Sequence, residues 1–201
     1  MDLAFERLLC RPEARAKRAR RLVVEGNRIR RLEAAAPGEG AGLLAMPALA
    51  NAHDHARAVK PIALGAVDQP LELWLAAITG APRVDPYVAA AVALGRSALG
   101  GAGAVMTHYM RPQGGMPLAE EARAVARAAQ DVGVRLGFAV ALRDRHWLAY
   151  GGDARILDSL QPAEREAVRA RLAPRAAPPA EQVALVDEIA AAVESPLVQV
   201  Q

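Results

Sequence analysis

The amino-acid sequence predicts an α/β fold built on a parallel sheet. From Asn51 onward, apolar strand-like runs alternate with helix-like segments, and this βαβα order is typical of parallel sheets. The apolar run at 43–50 leads directly into His53-Asp54-His55, which we expect at the end of a strand. The segment 197–201 alternates apolar and polar residues, as a strand does.

A β-hairpin is predicted before this region. Residues 22–32 form two short strand-like runs around Gly26-Asn27, a dipeptide that favours a tight turn. Between Leu8 and Ala19 the strand pattern is weakest, and no strand is assigned there.

Six basic residues precede the hairpin and raise the question of nucleic-acid binding. Glu13 interrupts them, and no aromatic side chains lie among them for base stacking. A solvated face is therefore the favoured interpretation, and a nucleic-acid-binding protein is the weaker alternative. The six residues are Arg11, Arg15, Lys17, Arg18, Arg20 and Arg21.

Three helices are predicted from their end signals. Asp85 is an N-cap followed by proline, and the Gly100-Gly101 pair ends the same helix. Glu120 and Glu121 lie in the first turn of the second helix, where acidic side chains suit the helix dipole, and Gly133 caps its C-terminus. The predicted spans are 86–99, 117–132 and 180–194.

Two histidines one residue apart form the most informative motif. Side chains alternate along a strand, so His53 and His55 point the same way while Asp54 points opposite. Neutral imidazole is a common zinc ligand, and a catalytic zinc needs about three protein ligands plus an open position for water. The pair is therefore half of a metal site.

The segment 46–55 resembles the PG(L/F)xNxHxH signature of the amidohydrolase superfamily of metal-dependent hydrolases, with Ala48 in place of the usual glycine. The resemblance is closest to the cytosine deaminase and chlorohydrolase-like branch. The hairpin at 22–32 is similar to the small β-sandwich that precedes the barrel in these enzymes. Residues 103–108 and 134–144 are similar to the second and third barrel strands.

This resemblance implies an incomplete TIM (β/α)8 barrel of about four strands, preceded by a small N-terminal β-sandwich segment. Residues 1–42 are assigned to the sandwich and 43–201 to the first half of the barrel, since a closed barrel takes about 250 residues. The family's further ligands, histidines after strands five and six and an aspartate after strand eight, are expected beyond residue 201. The alternative is a catalytically incomplete fragment or half of a split barrel, which needs a homo-oligomer or a complementing C-terminal half.

The resemblance also implies an activity, hydrolysis of a C–N or C–Cl bond on a nitrogen heterocycle by an aminohydrolase or deaminase. The substrate is then a small heterocyclic molecule. His53 and His55 would help bind one divalent metal ion, with zinc favoured over iron or manganese. The metal lowers the pKa of bound water toward about 7 and so supplies hydroxide at neutral pH. No catalytic acid or base is identifiable in this chain.

Polar residues after the predicted strands are candidates for substrate binding. An insertion at about 143–179, with a helical stretch at 162–172, follows the third strand, where barrels of this kind place active-site loops. It carries Arg143 and Asp144, for which a structural role, pairing with each other or capping neighbouring loops, is the favoured alternative. His108 is expected on the face of the histidine pair, as a substrate contact, as support for the metal, or as a core residue.

Trp74, Gln199 and Gln201 complete the substrate candidates. Trp74 forms either an aromatic wall for a heterocycle or, as favoured, part of the core stripe of an amphipathic helix. Gln199 and Gln201 share one strand face, and if that face is buried their amides need partners such as a substrate ring. The stripe comprises Leu71, Trp74, Leu75 and Ile78.

Composition bounds the class of protein. With 53% hydrophobic and 23% charged residues the chain is globular, and with 3% aromatic residues its core must be built from Ala, Val and Leu. Cys10 is the single cysteine, which excludes an internal disulfide and favours a reducing cytoplasm. No run reaches the roughly 18 apolar residues of a membrane helix. Asp2 and Glu6 stand where a secretion signal would be basic.

Overall fold

The computed structural model describes residues 2–79, 81–142, 152–172, 177–193, 195 and 198–200. The chain divides into two compact units, Met1–Leu49 and Ala50–Gln201. Among the helices in these ranges, none combines the length and apolar character that a membrane span requires.

The first unit contains a four-stranded sheet. Its strands are β1 (Asp2–Leu8), β2 (Lys17–Glu25), β3 (Arg28–Ala34) and β4 (Leu44–Ala45), in the order β3-β2-β1-β4. β1 and β3 each pair antiparallel with β2, whereas β4 runs parallel to β1. The predicted hairpin is confirmed, with Gly26 at φ 60° in the turn between β2 and β3. β1 was not predicted, because its sequence does not alternate apolar and polar residues.

Four of the six basic residues that precede the predicted hairpin lie in β2. Successive side chains of a strand point to opposite faces of the sheet, so these four are divided between the two faces. The Arg21 Nη2 lies 2.6 Å from each oxygen of the Glu39 carboxylate. Glu39 also accepts a hydrogen bond of 3.0 Å from the backbone N–H of Ala36. Arg21 therefore stabilises the turn after β3.

The Arg21–Glu39 pair predicts a loss of stability in acid. The hydrogen bond from Arg21, followed by that from the Ala36 backbone, lowers the pKa of Glu39 below its ordinary value of 4.5. Because the folded state has the lower pKa, the pair stabilises the unit above the unfolded pKa, and this is lost as the pH falls through the folded pKa. We expect Glu39→Gln to reduce the hydrogen-exchange protection of β1 and β2 amides at pH 7, and the difference from wild type to shrink progressively as the pH falls below the ordinary glutamate pKa of 4.5. A difference that stays constant with pH contradicts the prediction.

The second unit contains the other sheet. Its strands are β5 (Leu49–Asp54), β6 (Ala102–Tyr109), β7 (Arg135–Val140) and β8 (Val198–Val200), in the order β5-β6-β7-β8. β6 runs parallel to β7, and β7 runs parallel to β8. The predicted α/β fold with a parallel sheet is therefore confirmed. β7 ends at Val140, and the part of its predicted span at 143–144 lies outside the described residues.

The apolar run at 43–50 is interrupted, so the expectation of one strand there is wrong. β4 ends at Ala45 in the first sheet, and β5 begins only at Leu49. Pro47 stands between them, and proline has no backbone N–H to donate to a strand ladder. β5 therefore contains His53, and His55 follows its last residue.

Six α-helices are present in the described part of the second unit. They are α1 (Leu71–Thr79), α2 (Pro86–Leu99), α3 (Leu118–Val132), α4 (Asp153–Ser159), α5 (Pro162–Leu172) and α6 (Pro179–Ala192). The three helices predicted from end signals are confirmed to within two residues, as is the helical stretch at 162–172. Asp85 accepts a hydrogen bond of 3.0 Å from the Val88 N–H, and Gly133 adopts φ 82° at the end of α3. α4 was not predicted.

A hydrophobic core joins the helices to this sheet. Val105 and Tyr109 of β6 belong to the core, and Thr107 between them is buried as well. Since side chains alternate along the strand, His108 lies on the opposite face of the sheet. α2 and α3 contact each other, and most of their buried residues are alanines. These are Ala89, Ala90, Ala93, Ala119, Ala122, Ala126, Ala128 and Ala129.

Candidate metal centre

The two histidines of the His-x-His motif converge at the end of β5. His53 is exposed and His55 is half-buried. Their Nε2 atoms lie 3.3 Å apart. Two nitrogens that bind one tetrahedral zinc ion at about 2.05 Å stand about 3.3 Å from each other. The separation in this structure therefore fits two ligands of a single metal ion.

The neighbouring strand orients the ring of His55. Its Nδ1 lies 2.8 Å from the backbone oxygen of His108 in β6. A carbonyl oxygen only accepts hydrogen bonds, so Nδ1 carries a proton, and in the neutral imidazole Nε2 is then left with its lone pair. A hydrogen bond of this kind is the usual support for a metal-bound imidazole. His55 is thus held in the tautomer that a metal requires.

The turn that carries the pair is tied together by side chains of the motif itself. Asp54 Oδ1 accepts a hydrogen bond of 2.8 Å from the Ala56 N–H, and Asp54 Oδ2 accepts one of 3.2 Å from Asn51. Asn51 Oδ1 in turn accepts a hydrogen bond of 3.2 Å from the His53 N–H. Ala56 is buried and adopts φ 51°, which is strained for a residue other than glycine. Asp54 and Asn51 therefore fix the backbone from which both imidazoles project.

His108 lies against the pair, on the face that the sequence predicted for it. Its ring stacks on that of His53 with centroids 4.2 Å apart and an angle of 25° between the planes. The centroids of His108 and His55 are 6.4 Å apart. Among the described residues, no group of three or more His, Cys, Asp or Glu side chains is arranged to hold a metal ion. His108 forms a wall of the centre.

Glu121 organises the loop beside the centre, a role that its position in the first turn of α3 did not reveal. Its carboxylate is fully buried and accepts a hydrogen bond of 2.6 Å from the Tyr109 hydroxyl. It also accepts hydrogen bonds of 2.7 to 3.2 Å from the four backbone N–H groups of 113–116. Burial, followed by the hydrogen bond to Glu121, raises the pKa of Tyr109. The loop so held places Gln113 Nε2 3.0 Å from the His55 carbonyl oxygen.

The remaining candidates lie apart from the histidines or outside the described residues. Gln199 is exposed on β8 opposite Gly137, and it lines a concave region of about 440 Å³ with residues of β5, β6 and β7. Trp74 is half-buried on α1. Arg143, Asp144 and Gln201 lie outside the described residues.

The predicted core stripe of α1 is correct only in part. Ile78 is buried, and Trp74 and Leu75 are half-buried, but Leu71 is 45% exposed. Leu71 is the first residue of the helix, so no preceding turn covers its side chain.

Residues just after His55 and His108 line a further cavity, of about 370 Å³. Arg57 and Arg111 both contribute to it. Burial lowers the pKa of Arg57, and the nearby positive charge of Arg111 lowers it further.

The fold and the histidine pair together define a structural class, that of α/β chains with a parallel sheet and a His-x-His motif at the end of one strand. Solved structures with this fold include the atrazine chlorohydrolase TrzN of Arthrobacter aurescens TC1 complexed with zinc, at a TM-score of 0.61 and 16% identity. A mutant of that enzyme complexed with zinc and atraton reaches 0.63 and 19%, and a triazine hydrolase from the same species reaches 0.63 and 15%.

Each of these comparisons covers 99% of this chain and 45% of the other, so the chain spans less than half the length of these structures. At such identities the likeness establishes the fold. No protein-family model matches the sequence, and no curated protein matches it either.

Proposed function

We propose that this chain is the N-terminal portion of a metal-dependent hydrolase of the amidohydrolase superfamily. In this proposal β5 to β8 are the first strands of a (β/α)8 barrel. His53 and His55 are two of the protein ligands to one divalent ion, zinc before iron or manganese. Support comes from the solved zinc hydrolases of the same fold and from the resemblance of 46–55 to the superfamily signature.

The observation that carries the proposal is the geometry of the two imidazoles. Their Nε2 atoms stand at the separation of two ligands on one ion, and the His108 carbonyl holds the His55 tautomer that leaves Nε2 unprotonated. Two surface histidines that do not share a ligand have no need of this Nε2–Nε2 separation or of a carbonyl that fixes the tautomer. Hydrogen bonds of Asp54 with Asn51 and with the Ala56 N–H hold the turn that carries the pair.

The proposed reaction is hydrolysis of a C–N or C–Cl bond on a nitrogen heterocycle, with deamination as one form of it. A bound metal ion supplies a water of lowered pKa. His53 and His55 place the ion at the end of β5, and the stacked ring of His108 limits access from one side. The structure with atraton supports this class of substrate.

Zinc binding by purified residues 1–201 tests the proposal. We expect His53→Ala and His55→Ala each to weaken zinc affinity more than about tenfold in calorimetric titrations, because each removes a ligand. Two histidines alone bind zinc weakly, so wild type is expected in the micromolar range or above. The readout is affinity and therefore does not depend on turnover.

His108→Phe is the matched control. It keeps an aromatic ring against His53 and the backbone carbonyl that orients His55, but removes the imidazole nitrogens. We expect zinc affinity within about twofold of wild type. Equal zinc affinity in wild type and in His53→Ala disproves the assignment. A loss in His108→Phe as large as that in His53→Ala shows that the ligand set has been assigned wrongly.

A further inference from the structure

We infer that Gln113 is a positioning residue for the proposed metal ligand His55. Its side-chain Nε2 donates a hydrogen bond of 3.0 Å to the backbone oxygen of His55, which lies 58 positions earlier in the chain. Gln113 is half-buried in the loop that follows β6. The inference rests on the proposed function, because it assigns to Gln113 the task of holding a ligand of that metal centre.

The peptide unit between His55 and Ala56 is held at both ends. Gln113 donates to its carbonyl oxygen, and its N–H donates a hydrogen bond of 2.8 Å to Asp54 Oδ1. Ala56 then adopts φ 51°, a conformation that is strained for a residue other than glycine and that needs support from its surroundings. β5 ends at Asp54. The two hydrogen bonds therefore fix the backbone of His55 at a point that the strand itself does not include.

The position of this peptide unit decides whether the His55 ring meets its partner. The ring Nδ1 lies 2.8 Å from the backbone oxygen of His108, and this contact selects the tautomer with a free Nε2. Hydrogen bonds weaken steeply when the distance or the angle departs from the optimum. If the backbone of His55 moves, the ring leaves the His108 oxygen and the preference for one tautomer is lost. Gln113 thus acts on Nε2 through the backbone of His55.

Gln113 is itself anchored to buried groups. Its backbone N–H donates a hydrogen bond of 2.7 Å to the fully buried Glu121, whose carboxylate also accepts from the Tyr109 hydroxyl. The next residue, Gly114, packs closely on the start of α2, where an added Cβ would lie 2.5 Å from Pro86 Cγ. The amide of Gln113 is therefore presented from a backbone that α2 and α3 already hold. Support of this kind raises metal affinity, because the ligand is ordered before the metal binds.

Zinc titration of two variants of residues 1–201 tests the inference. Gln113→Met keeps the length of the side chain and Gln113→Ala removes it, and neither can donate to the His55 carbonyl. We expect both to lower zinc affinity about fivefold, which is less than the loss in His55→Ala because the ligand itself remains. Gln130→Met, the same substitution at an exposed position of α3, is the matched control and should bind zinc as wild type does. Wild-type zinc affinity in Gln113→Met overturns the inference.

The tautomer of His55 in the metal-free protein separates positioning from a general loss of structure. At about pH 8 the imidazole is neutral, and its nitrogen-15 resonances report which ring nitrogen carries the proton. We expect the Nδ1–H tautomer to dominate in wild type and in Gln130→Met, and a mixture of both tautomers in Gln113→Met. Unchanged tautomer populations in Gln113→Met overturn the inference.

The two proposals fail in different ways. Equal zinc affinity in wild type and in His53→Ala removes the metal centre and with it the proposed function. If His53→Ala loses zinc affinity while Gln113→Met binds as tightly as Gln130→Met, the metal centre stands and only the role of Gln113 is overturned.

Discussion

Replacement of Glu121 by alanine is expected to reduce the free energy of unfolding of the second unit by at least about 4 kcal/mol. The buried carboxylate accepts hydrogen bonds from the Tyr109 hydroxyl and from four backbone N–H groups of 113–116. Alanine leaves all five donors without this acceptor, of which the Tyr109 hydroxyl is buried and the four backbone N–H groups are partly buried. Each buried polar group left unpaired costs about 1–3 kcal/mol. Urea unfolding followed by circular dichroism measures the effect.

Glu120→Ala is the matched control, since Glu120 is exposed in the same turn of α3. We expect it to change the free energy of unfolding by less than about 0.5 kcal/mol. Glu121→Gln keeps the shape but turns an N–H group toward other N–H groups, so an intermediate loss of about 2 kcal/mol is expected. If Glu121→Ala unfolds at the same urea concentration as Glu120→Ala, the carboxylate does not hold the loop.

Replacement of Gly40 by alanine is expected to destabilise the first unit by at least about 3 kcal/mol. A Cβ at this position would lie 2.5 Å from the backbone C and O of Ala4 and from the backbone N of Phe5. These atoms belong to β1, so they cannot shift without displacing the strand. The Gly40 carbonyl also accepts a hydrogen bond of 2.9 Å from the Glu6 N–H, which the displacement would break. Amide hydrogen exchange of β1 reports the loss.

Gly38→Ala separates the clash from backbone strain. Gly38 has φ 81° and Gly40 has φ 70°, so an alanine is strained at both positions. A Cβ at Gly38 meets no atom within 4 Å, however. We expect Gly38→Ala to cost only about 1–2 kcal/mol. Equal losses at the two positions would show that strain accounts for the whole effect and that the close approach to β1 is unimportant.

The helices of the second unit could be predicted from sequence because their signals are local. Asp85 immediately precedes α2 and caps it by accepting a hydrogen bond from the Val88 N–H. Gly133 ends α3 with a left-handed backbone conformation that glycine adopts freely. His53 and His55 could be found for a similar reason, since strand alternation places them on one side. Pro47 also acts locally, but the apolar residues around it concealed the break between β4 and β5.

The interactions that complete the candidate centre could not be predicted, because they join residues far apart in sequence. His55 depends on the carbonyl of His108, and Gln113 reaches the carbonyl of His55. The sequence explained Glu121 as an acidic residue that suits the dipole of α3 in its first turn. That explanation gave no reason to expect its contacts with Tyr109 and the loop. Alternation predicted the face of His108, but its stacking on His53 depends on how β5 and β6 are aligned.

The alanine-rich contact between α2 and α3 has a consequence for the entropy of folding. An alanine has no side-chain rotamers to lose, whereas each leucine or isoleucine ordered in a core loses about 0.5–1 kcal/mol. In this layer the side-chain entropy loss is therefore concentrated in a few large residues, such as Leu94 of α2 and Ile189 of α6. Because an alanine side chain is small, the helices also bury less apolar area per residue than they would with leucine or isoleucine at these positions. Their association is opposed mainly by the ordering of the backbone itself.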